Sequence, residues 1–351
     1  MAKFLVYLGL FLLCVIRIVH AQDDDDGDDI SIFDLFSIHQ GRFASCDQRL
    51  NTLEDYHQES IDSLARAIDA IDTRWEEQSP SGDLIRAAMF QFFRVRQRDE
   101  KLRKAVSDDL ESVFDFLNGL IDDIPRDTTW FFCGSDFIVQ REPTIDEALD
   151  EDGNGIIVDR ELITISRVRA YQQYLRGGNV PWWGGERTNI NGYYFTQPDS
   201  GGGYCDTQTN LGMTSTIHAL GQNTPDIKTT YQTIMLCPQA FDTPDKPATY
   251  RAGSLGITAG ATLEDWLPRS TTFLHEMFHV VFGTKMLEGG SEKYLLAEVV
   301  QLAQVRPGNA RKNPESYIYF VAAMHYLFGA EEEGVPTKWN FAEGADAARV
   351  V

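Results

Sequence analysis

Residues 275–279 read His-Glu-Met-Phe-His, preceded by Phe273-Leu274 and followed by Val280-Val281-Phe282, and Gly283 closes the run. No other segment constrains the fold as much. Two histidines four residues apart share a face on a helix, and the apolar neighbours require its other faces to be buried. Placed this way, two imidazoles can hold one Zn2+ ion. Glu276 lies beside them, able to take a proton from water and pass it to a leaving amine.

A hydrolytic zinc site needs a third protein ligand and an open position. Between residues 280 and 330 there is no Asp, and His325 is the one further His. The carboxylate candidates are Glu288, Glu292, Glu298 and Glu315. Glu298, nineteen residues after His279, has a spacing similar to the aminopeptidase branch of the gluzincins. It would lie on a helix over about 292–304, with Glu292 at the start.

The ends of the chain and its cysteines point to a compartment. Met1-Ala2-Lys3, an apolar run from Phe4 to Ile16 and Val19-His20-Ala21 have the three parts of a secretory signal, cut after Ala21. Arg17 interrupts the run short of the roughly 20 apolar residues that a membrane span needs. The 351 residues carry 31 Lys+Arg against 53 Asp+Glu, a net charge of −22. Loss of Lys3 and Arg17 with the signal leaves 29 cations and a net of −24. That balance argues against nucleic acid or an anionic membrane as partner, since both reward clustered cations. Cys46, Cys133, Cys205 and Cys237 remain after cleavage, and in an oxidising compartment they predict two disulfides. Three connectivities are open, and sequence order favours 46–133 with 205–237. A four-thiolate zinc site would show CxxC pairs, and the sequence has none.

Residues 22–45 begin with an acidic run and read as a disordered leader. From 46 to 176 the pattern is largely helical. Leu50, Leu53, Ile61, Leu64, Ile68 and Ile71 recur at helical spacing, and Leu84 to Leu120 continues similarly. Ser79-Pro80-Ser81-Gly82 separates the two helices, with Asp83 placed to cap the second. Trp130 to Cys133 reads as a short buried strand, and Thr233 to Cys237 as another that Pro238 ends. Residues 150–161 satisfy the EF-hand loop pattern, which makes Asp150, Asp152, Asn154 and Glu161 candidate Ca2+ ligands around Gly155. The rival reading is an Asn-Gly turn leading into a helix over about 160–175. Residues 177–212, rich in Gly, Asn, Trp and Tyr, form a junction or long loop.

With these pieces in order, the stretch from 205 to 328 resembles the aspzincins, the fungal deuterolysin and peptidyl-Lys metalloendopeptidase group. The matching pieces are Ile234-Met235-Leu236-Cys237-Pro238, Leu274-His275-Glu276-Met277-Phe278-His279, Tyr294, Leu302-Ala303, and Asn313-Pro314-Glu315-Ser316-Tyr317 with Phe320. The last is similar to the family's Asn-Ala-Asp-Ser-Tyr. The resemblance implies a third ligand from a Gly-Thr-x-Asp-x-x-Tyr-Gly motif. Counted back from Tyr294, its Asp falls on Ser291; counted forward from Gly289, it falls on Glu292. A one-residue shift makes Glu292 the ligand, favoured over Glu298 in the gluzincin manner and over Glu288. The resemblance also implies that Tyr294 hydrogen-bonds the tetrahedral oxyanion.

The expected protein is α+β and helix-rich: signal peptide 1–21, leader 22–45, helical region 46–176, zincin-like domain 177–330 and C-terminal tail 331–351. Its expected activity is that of a secreted, extracellular, monomeric zinc metalloendopeptidase acting on protein or peptide substrates. His275, His279 and Glu292 would be metal ligands, and Glu276 and Tyr294 catalytic. The alternative is a catalytically inactive zincin-like secreted binding protein that also binds calcium. Whether the helical half is a removable propeptide is open at this point.

Overall fold

The structure is a computed structural model and describes residues 30–287, 289–329, 338–341 and 347–350. The expected signal peptide and the Asp-rich run therefore lie outside the described residues. Ser31 to Val351 is one compact unit of mixed helix and sheet.

The sheet has seven strands: β1 (Ser37–Ile38), β2 (Thr129–Phe132), β3 (Val139–Gln140), β6 (Val180–Trp183), β7 (Tyr193–Thr196), β8 (Gly212–Leu220) and β9 (Ile227–Leu236). A separate hairpin pairs β4 (Ile157–Val158) with β5 (Glu161–Leu162). The spatial order is β1-β2-β9-β8-β7-β6-β3. β1, β2 and β9 run parallel, and the pairs from β9 through β3 are antiparallel. The two-residue period of the strands divides the core. Phe131, Ile234 and Leu236 face the helices, while Phe132, Ile217 and Met235 pack with Phe137, Ile138 and Trp182 on the other side.

Six longer helices cover one face: α1 (Leu50–Asp72), α2 (Pro80–Phe93), α3 (Glu100–Leu117), α4 (Ser270–Phe282), α5 (Leu296–Val305) and α6 (Pro314–Phe328). α4 carries the two histidines. α6 is buried on every side from Ser316 to Leu327, as a helix apolar all round must be. Aromatic pairs lock the layer: Phe93 on Tyr317 at 4.9 Å, Phe278 on Tyr317 at 4.8 Å, and Phe131 on Phe273 at 6.0 Å between ring centroids. Both disulfides form as sequence order suggested, Cys46–Cys133 and Cys205–Cys237.

The structure departs from the sequence reading in several places. The leader was expected to run unstructured to residue 45, yet Ser31 caps a helical turn over Ile32–Leu35 whose Ile32 and Phe36 are fully buried. Apolar anchors end the leader. The second expected helix is two, α2 and α3, because Arg94 turns left-handed at φ 57°. Ser79, whose hydroxyl accepts from the Gly82 amide at 3.2 Å, caps α2, and Asp83 instead sits in the first turn beside Arg86. No helix covers 160–175; that stretch is β5 followed by short 3-10 turns. The described tail residues pair as Lys338–Asn340 with Ala348–Val350, and the Trp339 indole donates to the Ser254 carbonyl at 3.3 Å.

The expected boundary at 176/177 does not coincide with a break in the fold. β2, from the first half, sits between β1 and β9 inside the sheet. Leu53, Leu64 and Ile71 of α1 share one core with Phe273, Met277 and Phe278 of α4. Glu59 of α1 accepts hydrogen bonds from the Tyr250 amide at 2.7 Å and from the Ser270 hydroxyl at the start of α4. The helical half is thus part of the core that carries the histidines. A chain beginning at residue 177 is therefore expected to give no cooperative unfolding transition in calorimetry. A sharp transition for it, with the Tm of the full chain, would mean the halves are independent.

Candidate metal centre

α4 forms where the sequence puts Ser270 to Phe282 at helical spacing, and Gly283 ends it at φ 51°. Its inner faces bury Phe273, Leu274, Met277 and Phe278. His275, Glu276 and His279 line a cleft of about 880 Å³. His275 and Glu276 are 8 % and 4 % exposed, and both face the cleft.

Glu292 arrives from the loop between α4 and α5, and is 7 % exposed. Its Oε1 lies 3.0 Å from His279 Nε2 and 3.4 Å from His275 Nε2. One donor atom from each of the three residues lies within 4.8 Å of the others, and this is the one such group among the described residues. Two imidazole nitrogens and a carboxylate oxygen are the donor set of three-ligand sites that keep a fourth position open. The residues therefore fit a divalent metal.

The surroundings orient these donors. His275 turns Nδ1 to Glu315 Oε2 at 2.9 Å, which leaves Nε2 for the centre. The Tyr294 hydroxyl donates to Glu292 Oε2, and its ring stacks on His275 at 5.8 Å. The Thr214 hydroxyl of β8 donates to Glu276 Oε2 at 2.8 Å. At Gly212 a Cβ would meet Glu276 Oε1 at 2.8 Å and Leu236 Cδ2 at 2.9 Å, so glycine alone lets β8 approach this carboxylate so closely.

Charge in the centre is strongly coupled. Burial would raise the Glu292 carboxyl, but hydrogen bonds with His275, His279 and Tyr294 hold it down at about 2. Burial would lower the His275 imidazole; the bonds to Glu292 and Glu315 instead raise it well above the usual histidine value. Glu276 is pushed up, mainly by burial, against the pull of both histidines and the Thr214 bond. Burial, then the Glu292 carboxylate, pushes the Tyr294 phenol up. A centre that raises an imidazole's proton affinity this way is one in which a bound cation can replace the proton.

Of the expected site residues, the structure brings together His275, Glu276, His279, Glu292 and Tyr294. Glu298 does not join them. α5 starts at Leu296 rather than at 292, which places Glu298 in its first turn, outside the converging group. Glu288 lies outside the described residues. Glu315, a candidate ligand in the sequence, instead holds the far nitrogen of His275. Gly212 and Thr214 were missed, since nothing local in the sequence marks them and only strand pairing aims β8 at Glu276.

At 150–161 the carboxylates do not converge into a metal-binding group among the described residues. Asp159 and Arg160 turn left-handed at φ 53° and 70°, folding the segment into the β4–β5 hairpin instead of an exiting helix. Glu161 is exposed and faces Arg167 at 3.9 Å. The Asp150 carboxylate is already used: Oδ1 accepts from the Asp152 and Asn154 amides at 3.0 and 2.8 Å, and Oδ2 from the Asn223 amide at 3.2 Å. The loop is a hydrogen-bonded turn that leads into the β4–β5 hairpin.

No protein-family model matches the chain, and no curated protein matches it in sequence.

Zn2+ at 100 times its Kd is expected to stabilise the fold by about 2.7 kcal/mol, read as a rise in Tm. A chelator reverses the rise, and His279→Ala abolishes it. Millimolar Ca2+ leaves the Tm of the wild type where it was. A Ca2+ shift that Asp150→Asn removes would contradict the reading of the 150–161 loop.

Proposed function

We propose that this chain is a secreted zinc-dependent metalloendopeptidase of zincin type. The observation that carries the proposal is the convergence of His275 Nε2, His279 Nε2 and Glu292 Oε1 at the floor of a cleft, with Glu276 beside them. The resemblance to the aspzincins supports the same reading, with Glu292 in place of the family's Asp. A divalent ion, when bound, would polarise a peptide carbonyl and acidify a water molecule.

The chain's own groups supply the rest. Glu276, held by Thr214 and pushed up by burial, has one carboxylate edge fixed and can take a proton from water and deliver it to the amine that leaves. Tyr294 is the phenol next to the centre; donation to the oxyanion, the role the resemblance implies, requires its hydroxyl to leave Glu292 Oε2. The cleft also fits an extended chain better than a chain end. β7 pairs with β8 through Tyr193 and His218 alone, so Gly212 to Ile217 is laddered on the β9 side only. Gly212 to Thr216 line the cleft, and Thr216 and Gln232 continue into an adjoining recess of about 270 Å³ beside Thr128 and Thr230. An exposed strand edge along an open-ended groove suits a polypeptide bound by its backbone. Two disulfides and the absence of a membrane-length apolar helix among the described residues fit the extracellular setting.

Zinc-loaded wild type is expected to hydrolyse casein internally, and Glu276→Gln to lower the rate by about 10²- to 10⁴-fold. Zinc content should be unchanged in that variant. A wild type that binds zinc and cleaves nothing would overturn the peptidase reading and leave a metal-binding protein.

A further inference from the structure

Glu292 is a buried carboxylate on a loop whose regular structure between α4 and α5 amounts to single 3-10 turns, Gly283–Lys285 and Gly289–Ser291. A loop of this kind does not by itself hold a side chain to the tolerance a metal ligand needs. Something outside the loop must hold it.

Asn313 does. It is the residue before α6, where an asparagine side chain would ordinarily cap its own helix, yet it makes no such cap. Its amide is turned the other way: Oδ1 accepts from the Lys293 N–H at 2.9 Å, and Nδ2 donates to the Lys293 carbonyl at 3.0 Å. Both peptide groups of the residue next to the ligand are thus held by one planar amide, as a neighbouring strand would hold them. Asn313 is fully buried, so water does not compete for these bonds. A longer contact of Nδ2 to Ser316 Oγ at 3.4 Å fixes the amide's orientation. One residue further on, the hydroxyl of Tyr319 on α6 donates to the Tyr294 carbonyl at 3.1 Å. Glu292 is then delivered with Oε1 towards the histidines and Oε2 taken by Tyr294.

We propose that Asn313 is a positioning residue for the third ligand, acting through the Lys293 backbone, with Tyr319 as a second strut. The inference rests on the metal-site reading above. It makes α6 the part of the scaffold that sets metal affinity, although Asn313 and Tyr319 are no part of the converging donor group.

The test measures Zn2+ affinity by competition with a chromophoric chelator, and the visible spectrum of the Co2+-loaded protein. Asn313→Ala is expected to weaken Zn2+ binding 10- to 100-fold and to alter the Co2+ bands as Glu292 is released. Asn313→Asp, which keeps the acceptor and loses the donor, should fall between it and wild type. Unchanged Zn2+ affinity and Co2+ bands in a folded Asn313→Ala would overturn the proposal and leave a structural asparagine. Should Asn313→Ala not fold, Tyr319→Phe, which deletes one hydroxyl, decides by the same two readouts. A wild type that binds neither ion would bring down the metal-site reading itself, and the wild-type arm tells the two failures apart.

Discussion

Two imidazoles and a carboxylate on one face of an otherwise apolar helix, met there by two more carboxylates from a loop and from α6, are expensive to take out of water. Glu292 contacts both histidines, Glu315 contacts His275, and Glu276 interacts electrostatically with both imidazoles; each would be destabilising alone in that setting. Each is partnered: Glu315 with His275, Glu292 with both histidines and Tyr294, Glu276 with Thr214. The rest of the molecule can be understood as what is needed to hold these groups together. Gly212 admits the strand, Gly283 ends the helix at the cleft, and α6 brings Glu315 from beneath.

The same requirement explains why the chain is one unit from Ser31 onward. α4 exposes its polar face to the cleft, so its remaining surface must be covered by other elements. α1 and α6 supply that cover, and Glu59 ties the first turn of α4 to α1 across more than two hundred residues of sequence. The helical segment of the first half shares one core with the histidine helix. Its position in the first half of the sequence made it look separable.

Legibility in the sequence followed locality. The histidine helix, the buried strands at Trp130 and Thr233, and the disulfide pairs could be read because apolar spacing and cysteine order are local signals. The EF-hand pattern was equally local, yet Asp159 and Arg160 turn the chain into a hairpin where the pattern expects an exiting helix. The break after Phe93 was hidden because Arg94 to Asp99 suits a helix surface as well as a turn. Glu292 could be ranked above the other carboxylate candidates only with help from the family resemblance. Thr214, Gly212 and Asn313 reach the site through strand register and helix packing, over separations of twenty to sixty residues that no short pattern encodes. Asn313 and Glu315 share one short motif but make different contacts, Asn313 with the Lys293 backbone and Glu315 with His275.

The central claim is that His275, His279 and Glu292 form one metal centre. X-ray absorption on the zinc-loaded full chain tests it most directly. The account predicts one zinc per chain, with two imidazole nitrogens at about 2.0–2.1 Å and oxygen in the remaining first shell. Sulfur in that shell, a single imidazole, or no bound zinc after loading would contradict it.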